Sequence, residues 1–233
     1  MGNLLGGDLL RLFISFEGVE GSGKTTQVEM LHNYLVEMRI SVLKTREPGG
    51  TALGDRLRPI LLEHSDAPCC PLSELFLYAA ARAQLVKEVI APALDHHTVV
   101  ISDRYVDSTV AYQGYARGLD ISLIERLNRS ATNGCMPHLT VLLDTDPEVG
   151  LNRISSRALT LLGCGKDRLE SESLHFHRQV RKGYQILADR NPDRFFVVNG
   201  RRNKEDIHQQ IKHELIRRYP ESFPLPIPAR NAG

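Results

Sequence analysis

Apolar and polar positions fall along this chain in blocks. Five short runs are mostly apolar or β-branched: Leu12–Phe16, Ser41–Thr45, Thr98–Ser102, Leu139–Asp144 and Phe195–Asn199. Runs of this kind suit strands covered on both faces, as in a parallel sheet. Between them, apolar residues recur at three- and four-residue intervals, the helical period. Val28, Leu31, Leu35 and Met38 set that pattern for a helix over Lys24–Met38. The same reading predicts helices over Leu53–Glu63, Leu72–Leu94, Ile121–Thr132, Pro147–Arg157, Glu170–Arg190 and Lys204–Arg218. Pro92 should bend or end the third of them. Strands alternating with helices predict right-handed βαβ crossovers. The expected fold is α/β, a doubly wound five-stranded parallel sheet with helices on both faces. No repeat or linker divides residues 12–219, which read as one domain. Residues 1–11 read as a leader, and residues 220–233, with four prolines, as a flexible tail.

Composition narrows the partners. The 233 residues carry 29 Lys and Arg against 28 Asp and Glu, so no basic excess points to nucleic acid. No apolar run reaches membrane-spanning length. Cys69, Cys70, Cys135 and Cys164 show no C-x-x-C spacing, which suits a reducing cytoplasm. The start Met1–Gly6 lacks the hydroxyl residue at position six that a myristoylation signal carries. It also lacks the charged start and long apolar run of a signal peptide.

The most specific chemistry lies between the first strand and the first helix. Gly18, Val19, Glu20, Gly21, Ser22, Gly23, Lys24 and Thr25 fit the phosphate-cradling P-loop pattern, and Thr26 follows. The glycines let backbone N–H groups turn onto a polyphosphate at a helix N-terminus. Lys24 then reaches the β/γ-phosphates of ATP and Thr25 ligates Mg²⁺. Asp103, Arg104 and Tyr105 end the third strand. A carboxylate there can hold Mg²⁺, and Arg104 is a fixed cation between donor and acceptor phosphates. Arg46 precedes the turn Pro48-Gly49-Gly50, which aims it at the same edge for bidentate phosphate binding. Tyr78 and Arg82 share a helix face. With small alanines between them, they offer a flat ligand a stacking surface and a donor. Ser108, Thr109, Tyr112 and Gln113 supply hydroxyls and an amide within reach of a base or sugar. Arg153, Arg157, Lys166 and Arg168 flank the Gly163-Cys164-Gly165 segment, the pattern of a lid over about 153–170.

Asn203-Lys204-Glu205-Asp206 matches a guanine-reading motif, but no D-x-x-G occurs in the chain. Asn203 reads instead as a helix N-cap. Another nucleoside monophosphate kinase, a deoxynucleoside kinase with Glu47 as base toward a sugar hydroxyl, and a non-enzymatic P-loop switch remain as alternatives.

Together the segments Glu17–Thr26, Arg46–Thr51, Tyr78–Arg82, Asp103–Tyr105, Ser108–Gly114 and Asp167–Glu170 resemble the thymidylate kinase family, the bacterial type in particular. The resemblance runs from about Leu12 to Tyr219. It implies transfer of the γ-phosphoryl of ATP to dTMP with Mg²⁺, on the route to dTTP, by a cytoplasmic homodimer. It assigns the dTMP phosphate to Arg46 and Arg104, and thymine to Tyr78, by stacking, and to Arg82, at O4. Thr109 takes the place of a polar base contact, with Gln113 beside it. Tyr112 lies under the deoxyribose, and Glu20 near the sugar 3′-OH or the metal. Lys24, Arg104 and Arg157 become the catalytic cations, Arg157 from the lid. Thr25 and Asp103, with Glu170 as a third candidate, become the metal ligands. The family more often places Phe where Tyr78 stands. The stretch Ala158–Cys164 is longer and more apolar than the family's arginine-rich lids.

Overall fold

The computed structural model describes residues 11–67, 69–160 and 167–223, with the backbone alone at 157–160. Five strands form one parallel sheet in the order β2-β3-β1-β4-β5. They are β1 (Phe13–Glu17), β2 (Val42–Arg46), β3 (Val99–Asp103), β4 (Leu139–Asp144) and β5 (Phe195–Asn199). The doubly wound α/β fold is thus as expected. The first three strands each sit one residue later than the apolar runs suggest. The ladder pairs Phe16 with Asp103 and Arg46 with Asp103, so it takes in the polar residue that closes each run. β1 lies between β3 and β4, where the strand order reverses. Ligands of open α/β sheets bind at such a reversal, outside the strand C-termini.

Helices cover both faces. α1 (Lys24–Glu37) and α9 (Lys204–Arg218) pack on one side, where Val28, Leu31, Leu35, Ile207, Ile211 and Leu215 meet the sheet residues Ile14, Phe16, Ile101 and Val141. Phe223 is fully buried in this cluster, so packed chain continues past residue 220 into what was expected to be flexible tail. Residues 1–10 and 224–233, most of the expected leader and tail, lie outside the described residues.

The other face carries α2 (Ala52–Leu62), α3 (Pro71–Leu85), α6 (Ile121–Thr132) and α8 (Leu174–Arg190). α3 runs through a π-helical turn, Val86–Ile90, into α4 (Ala91–Asp95). Pro92 falls in the first turn of α4, so it does not end the helical path. After β3 comes an element the periodicity misses: α5 (Val106–Thr109), followed by a π-helical stretch, Val110–Ala116. Its run of β-branched residues hides the helical period. π-Helical turns concentrate at functional sites, and this one carries Tyr112 and Gln113.

α7 (Pro147–Thr160) lies against the P-loop. A Cβ on Gly21 would come 2.1 Å from the Gly150 carbonyl oxygen, and a Cβ on Gly150 2.1 Å from that of Glu20. Neither position can carry a side chain. α8 starts at Leu174, four residues later than predicted. Before it, the Asp167 amide donates to Glu170 Oε2 and the Glu170 amide to Asp167 Oδ1, which closes a turn. Ser173 then caps α8 by accepting from the Phe176 amide.

Candidate active site

A cleft of about 650 Å³ opens at the C-terminal edge of the sheet. Its floor is the P-loop. Gly21 and Gly23 have φ of 67° and 99°, which L side chains rarely adopt. Lys24, the first residue of α1, folds back over the loop. Its Nζ donates to the carbonyls of Gly18 at 3.0 Å and Val19 at 2.9 Å, and to Ser22 Oγ. Burial, and then the Arg104 charge, lower the Lys24 pKa to about 8. Glu20, Gly21, Ser22, Gly23, Lys24, Thr25 and Thr26 line the cleft. Val19 points into the core beside Leu75 and Ile124, so only its main chain faces a phosphate.

Thr25 Oγ1 donates to Asp103 Oδ2 at 2.6 Å. A hydroxyl and a carboxylate in contact at the open end of a P-loop are hard oxygen donors. They suit Mg²⁺, which takes one or two protein oxygens and leaves its other positions to water and phosphate. Glu170 lines the cleft as well, within the turn it shares with Asp167.

Arg104 stands at the end of β3 with φ 71°, a left-handed conformation uncommon for a residue with a side chain. Nη2 donates to Glu20 Oε1 at 2.6 Å, and Nη1 to the Gly18 carbonyl, Ser108 Oγ and Tyr184 OH. The guanidinium lies 4.9 Å from the Tyr112 ring centre, and the Tyr112 hydroxyl donates to Glu20 Oε1. Burial works against the Glu20 charge, but Arg104 and Lys24 outweigh it and lower its pKa to about 2. Glu20 is therefore ionised at neutral pH. Arg46, across the cleft, is exposed and makes no hydrogen bond or ion pair among the described residues. Arg58 of α2 donates to the Pro48 carbonyl and adds a further cation beside Arg46.

The structure gathers all eight residues expected around the acceptor. Glu20, Arg46, Tyr78, Arg82, Arg104, Thr109, Tyr112 and Gln113 line this one cleft. Arg82 nevertheless differs from expectation. It is 1% exposed, and its guanidinium is spent on the protein. Nε and Nη2 grip the Glu47 carboxylate, Nη1 donates to Asn128 Oδ1, and Nη2 also donates to Thr109 Oγ1. Burial alone would lower the Arg82 pKa; the Glu47 carboxylate outweighs it and raises it. Arg82 thus orients Thr109 and Glu47, and at most one Nη1 hydrogen is left to donate elsewhere. Glu47, locked in that pair, is no free base. Gln113 Nε2 donates to Glu74 Oε1 at 2.7 Å.

The basic residues assigned to the lid separate. Arg153 lines the cleft and donates to the Gly200 carbonyl. Arg168 is committed elsewhere: it donates to the Leu61 carbonyl and, at 2.5 Å, to Glu74 Oε2. It is not among the residues that line the cleft. The Arg157 side chain and all of Lys166 lie outside the described residues. Asn203 caps α9, accepting from the Asp206 amide at 2.7 Å, as the sequence reading expected.

Sequence reasoning missed Arg58, which belongs to no motif. It also gave no part to Glu17, whose carboxyl is fully buried behind Arg104.

A parallel sheet of this order, with a phosphate loop at its reversal and cations around the cleft, defines a P-loop phosphotransferase. A family model described as thymidylate kinase matches residues 16–211. The thymidylate kinase of Geotalea uraniireducens is 47% identical over 209 residues, 90% of this chain and 98% of the relative. That of Carboxydothermus hydrogenoformans is 52% identical over 200 residues, 86% and 94% of the two chains. The crystal structure of thymidylate kinase from Ehrlichia chaffeensis superposes with a TM-score of 0.69 at 34% identity, covering 88% of this chain and 98% of that one. The chain belongs to the thymidylate kinase family, whose members are phosphotransferases with a phosphate group as acceptor.

Proposed function

We propose that this enzyme transfers the γ-phosphoryl group of ATP to the phosphate of dTMP, giving ADP and dTDP. It works in the cytoplasm, with Mg²⁺ as cofactor. The observation that carries the reading is the distribution of charge in the cleft. Lys24 lies over the P-loop, while Arg46 and Arg104 flank the cavity that Tyr78 and Tyr112 line. A monophosphate acceptor is already anionic and needs no strong base. It needs cations that hold two mutually repelling phosphates in line. Glu47, the base a nucleoside kinase would use, is held by Arg82.

On this reading Arg46 and Arg104 take the dTMP phosphate. Tyr78 stacks on thymine; burial raises the pKa of its phenol, which stays protonated. Thr109 and Gln113 meet the polar edge of the base, and Arg82 acts by holding Thr109. Tyr112 and Glu20 bound the sugar. Thr25 and Asp103, with Glu170 nearby, would hold Mg²⁺, whose chemistry is to neutralise phosphate charge. Arg157 supplies the lid cation, because positions 19, 20 and 22 of the P-loop hold Val, Glu and Ser and no arginine.

An ADP-release assay tests the reaction. The expected order of acceptors is dTMP first, dUMP weaker, and dCMP, AMP and GMP poor; thymidine should give no more ADP than ATP alone. The missing methyl of dUMP should cost about 10- to 200-fold in kcat/KM at most. Thymidine turned over as fast as dTMP would replace this reading with the nucleoside kinase. Arg82→Ala is a poor probe of base choice, since it strands the buried Glu47 carboxylate at a cost of about 3–5 kcal/mol.

The enzyme is further proposed to be a homodimer. Leu53 and Ile60 of α2 and Leu72 and Phe76 of α3 are exposed apolar side chains on two helices packed together. Sedimentation should give twice the 26.1 kDa chain mass. A single-chain mass at working concentration would sink the dimer.

A further inference from the structure

Glu17 ends β1 with its carboxyl fully buried. Its Oε1 accepts from the Tyr105 amide at 2.8 Å. Its Oε2 lies 2.6 Å from Ser108 Oγ and 2.8 Å from Tyr184 OH. Those two hydroxyls are themselves 2.8 Å apart. Three oxygens therefore form a closed triangle in which every edge is a hydrogen-bond distance. Each edge needs one proton. Ser108 and Tyr184 bring one each, and a carboxylate brings none. The third proton has only the Glu17 carboxyl to come from. Arg104 cannot serve, because its Nη1 already approaches the ring from outside, at 3.2 Å from Ser108 Oγ and 3.3 Å from Tyr184 OH.

We propose that Glu17 is a positioning residue for phosphoryl transfer: a protonated carboxyl that closes a three-oxygen ring with Ser108 and Tyr184 and so aims Arg104 at the acceptor phosphate. In the closed ring each oxygen donates once and accepts once. Each hydroxyl keeps a lone pair for Arg104, and the guanidinium rests on neutral groups. Without the proton, both hydroxyls turn toward the carboxylate, and the Ser108–Tyr184 edge sets lone pair against lone pair. A full negative charge then sits one oxygen behind Arg104 and draws it inward, away from the cleft.

The surroundings favour the proton. Burial and then the Asp107 charge push the Glu17 pKa up to about 7, against the opposing pull of Ser108, Arg104 and Tyr184. Asp107 of α5 is itself paired with Arg194, at 2.6 Å. The other charges facing Glu17 are Lys24 of α1, Arg82 of α3 and Arg194, the partner of Asp107. Lys24 turns to the P-loop carbonyls and Arg82 to Glu47, which leaves Arg104 as the cation bonded to the ring. A raised carboxyl pKa means that the ring is complete below about pH 7 and opens above it.

The inference rests on the assignment of Arg104 to the acceptor phosphate. The test is the pH profile of kcat/KM for dTMP at saturating ATP and Mg²⁺, over about pH 6 to 9. Wild-type enzyme should lose about tenfold as pH rises, beginning near 7. Glu17→Gln carries a donor that cannot ionise. It should stay within about threefold of wild type at the acid end and lack that step. Any later step, from Lys24 at about 8, is common to both. With ¹³C-carboxyl glutamate labelling, one resonance missing from Glu17→Gln should titrate near 7 in the wild type. An unchanged step in Glu17→Gln, or a resonance titrating at the ordinary value of about 4.3, overturns the ring. If Glu17→Gln does not fold, Ser108→Ala and Tyr184→Phe carry the test. Each opens the ring and should displace the step, and a profile unmoved in both overturns the proposal. Full activity in Arg104→Ala would instead overturn the acceptor-site reading and leave the Glu17 resonance where it is.

Discussion

Lys24→Ala is expected to abolish phosphoryl transfer while the fold persists. The Lys24 ammonium is the cation that closes over the P-loop, donating to the Gly18 and Val19 carbonyls. On the proposed reading, the same charge lies against the β- and γ-phosphates once ATP binds. Removing it forfeits a cation that acts where charge develops. Single preorganised donors of that kind are worth about 10²–10³ in rate, and a full charge shared by two phosphates should exceed that range. α1 should survive, because Val28, Leu31 and Leu35 bind it to the sheet irrespective of its first residue. Circular dichroism and the unfolding midpoint check the fold, and single-turnover ADP formation checks the chemistry. Turnover like wild type would remove the P-loop from the mechanism.

Arg104→Ala should cost about 10²–10³ in kcat. Its guanidinium is anchored on one side by Gly18 and the Ser108–Tyr184 pair and on the other by Glu20. On the proposed reading it meets the reacting phosphates already oriented, and little reorganisation is left for the transfer step. Its loss also leaves Glu20 without its ion-pair partner, so KM for dTMP should rise while KM for ATP changes little. Arg157→Ala makes the natural contrast. If the lid cation meets charge only as the phosphoryl group moves, this variant should lower kcat with both KM values nearly intact. A loss under about threefold in Arg104→Ala would demote Arg104 to scaffold, and full kcat in Arg157→Ala would vacate the lid assignment.

Much of this was legible in the chain, and the gaps have physical causes. β4, β5, α6 and α9 match the expected bounds at both ends. Asp120 and Asn203 mark the two helix starts as side-chain caps, a local signal that needs no tertiary context. The first three strands were placed a residue early because an apolar run stops where its polar neighbour begins. The ladder does not stop there, and Glu17, Arg46 and Asp103 are its last rungs. The pattern predicts a helix from Glu170, but α8 begins at Leu174 because Asp167 and Glu170 close a turn through each other's amides. Arg82 was the instructive residue. Its spacing from Tyr78 put it correctly in the cleft, but its partner Glu47 lies 35 positions away, and no local pattern announces that pairing. Arg168 shows the same limit, since its carboxylate partner Glu74 is 94 positions distant.

The contact between Gly21 and Gly150 has a consequence for anyone who would rebuild this enzyme. Two backbones meet there with no space for a methyl group, so neither residue can shrink to accommodate growth in the other. The first turn of α7 is in effect part of the phosphate loop. An α7 borrowed from a relative can be grafted from about residue 151 onward, where Arg153 and not backbone meets the P-loop. Grafted any earlier, it would carry its own spacing into the loop that cradles the nucleotide, and the exchange would be felt there first.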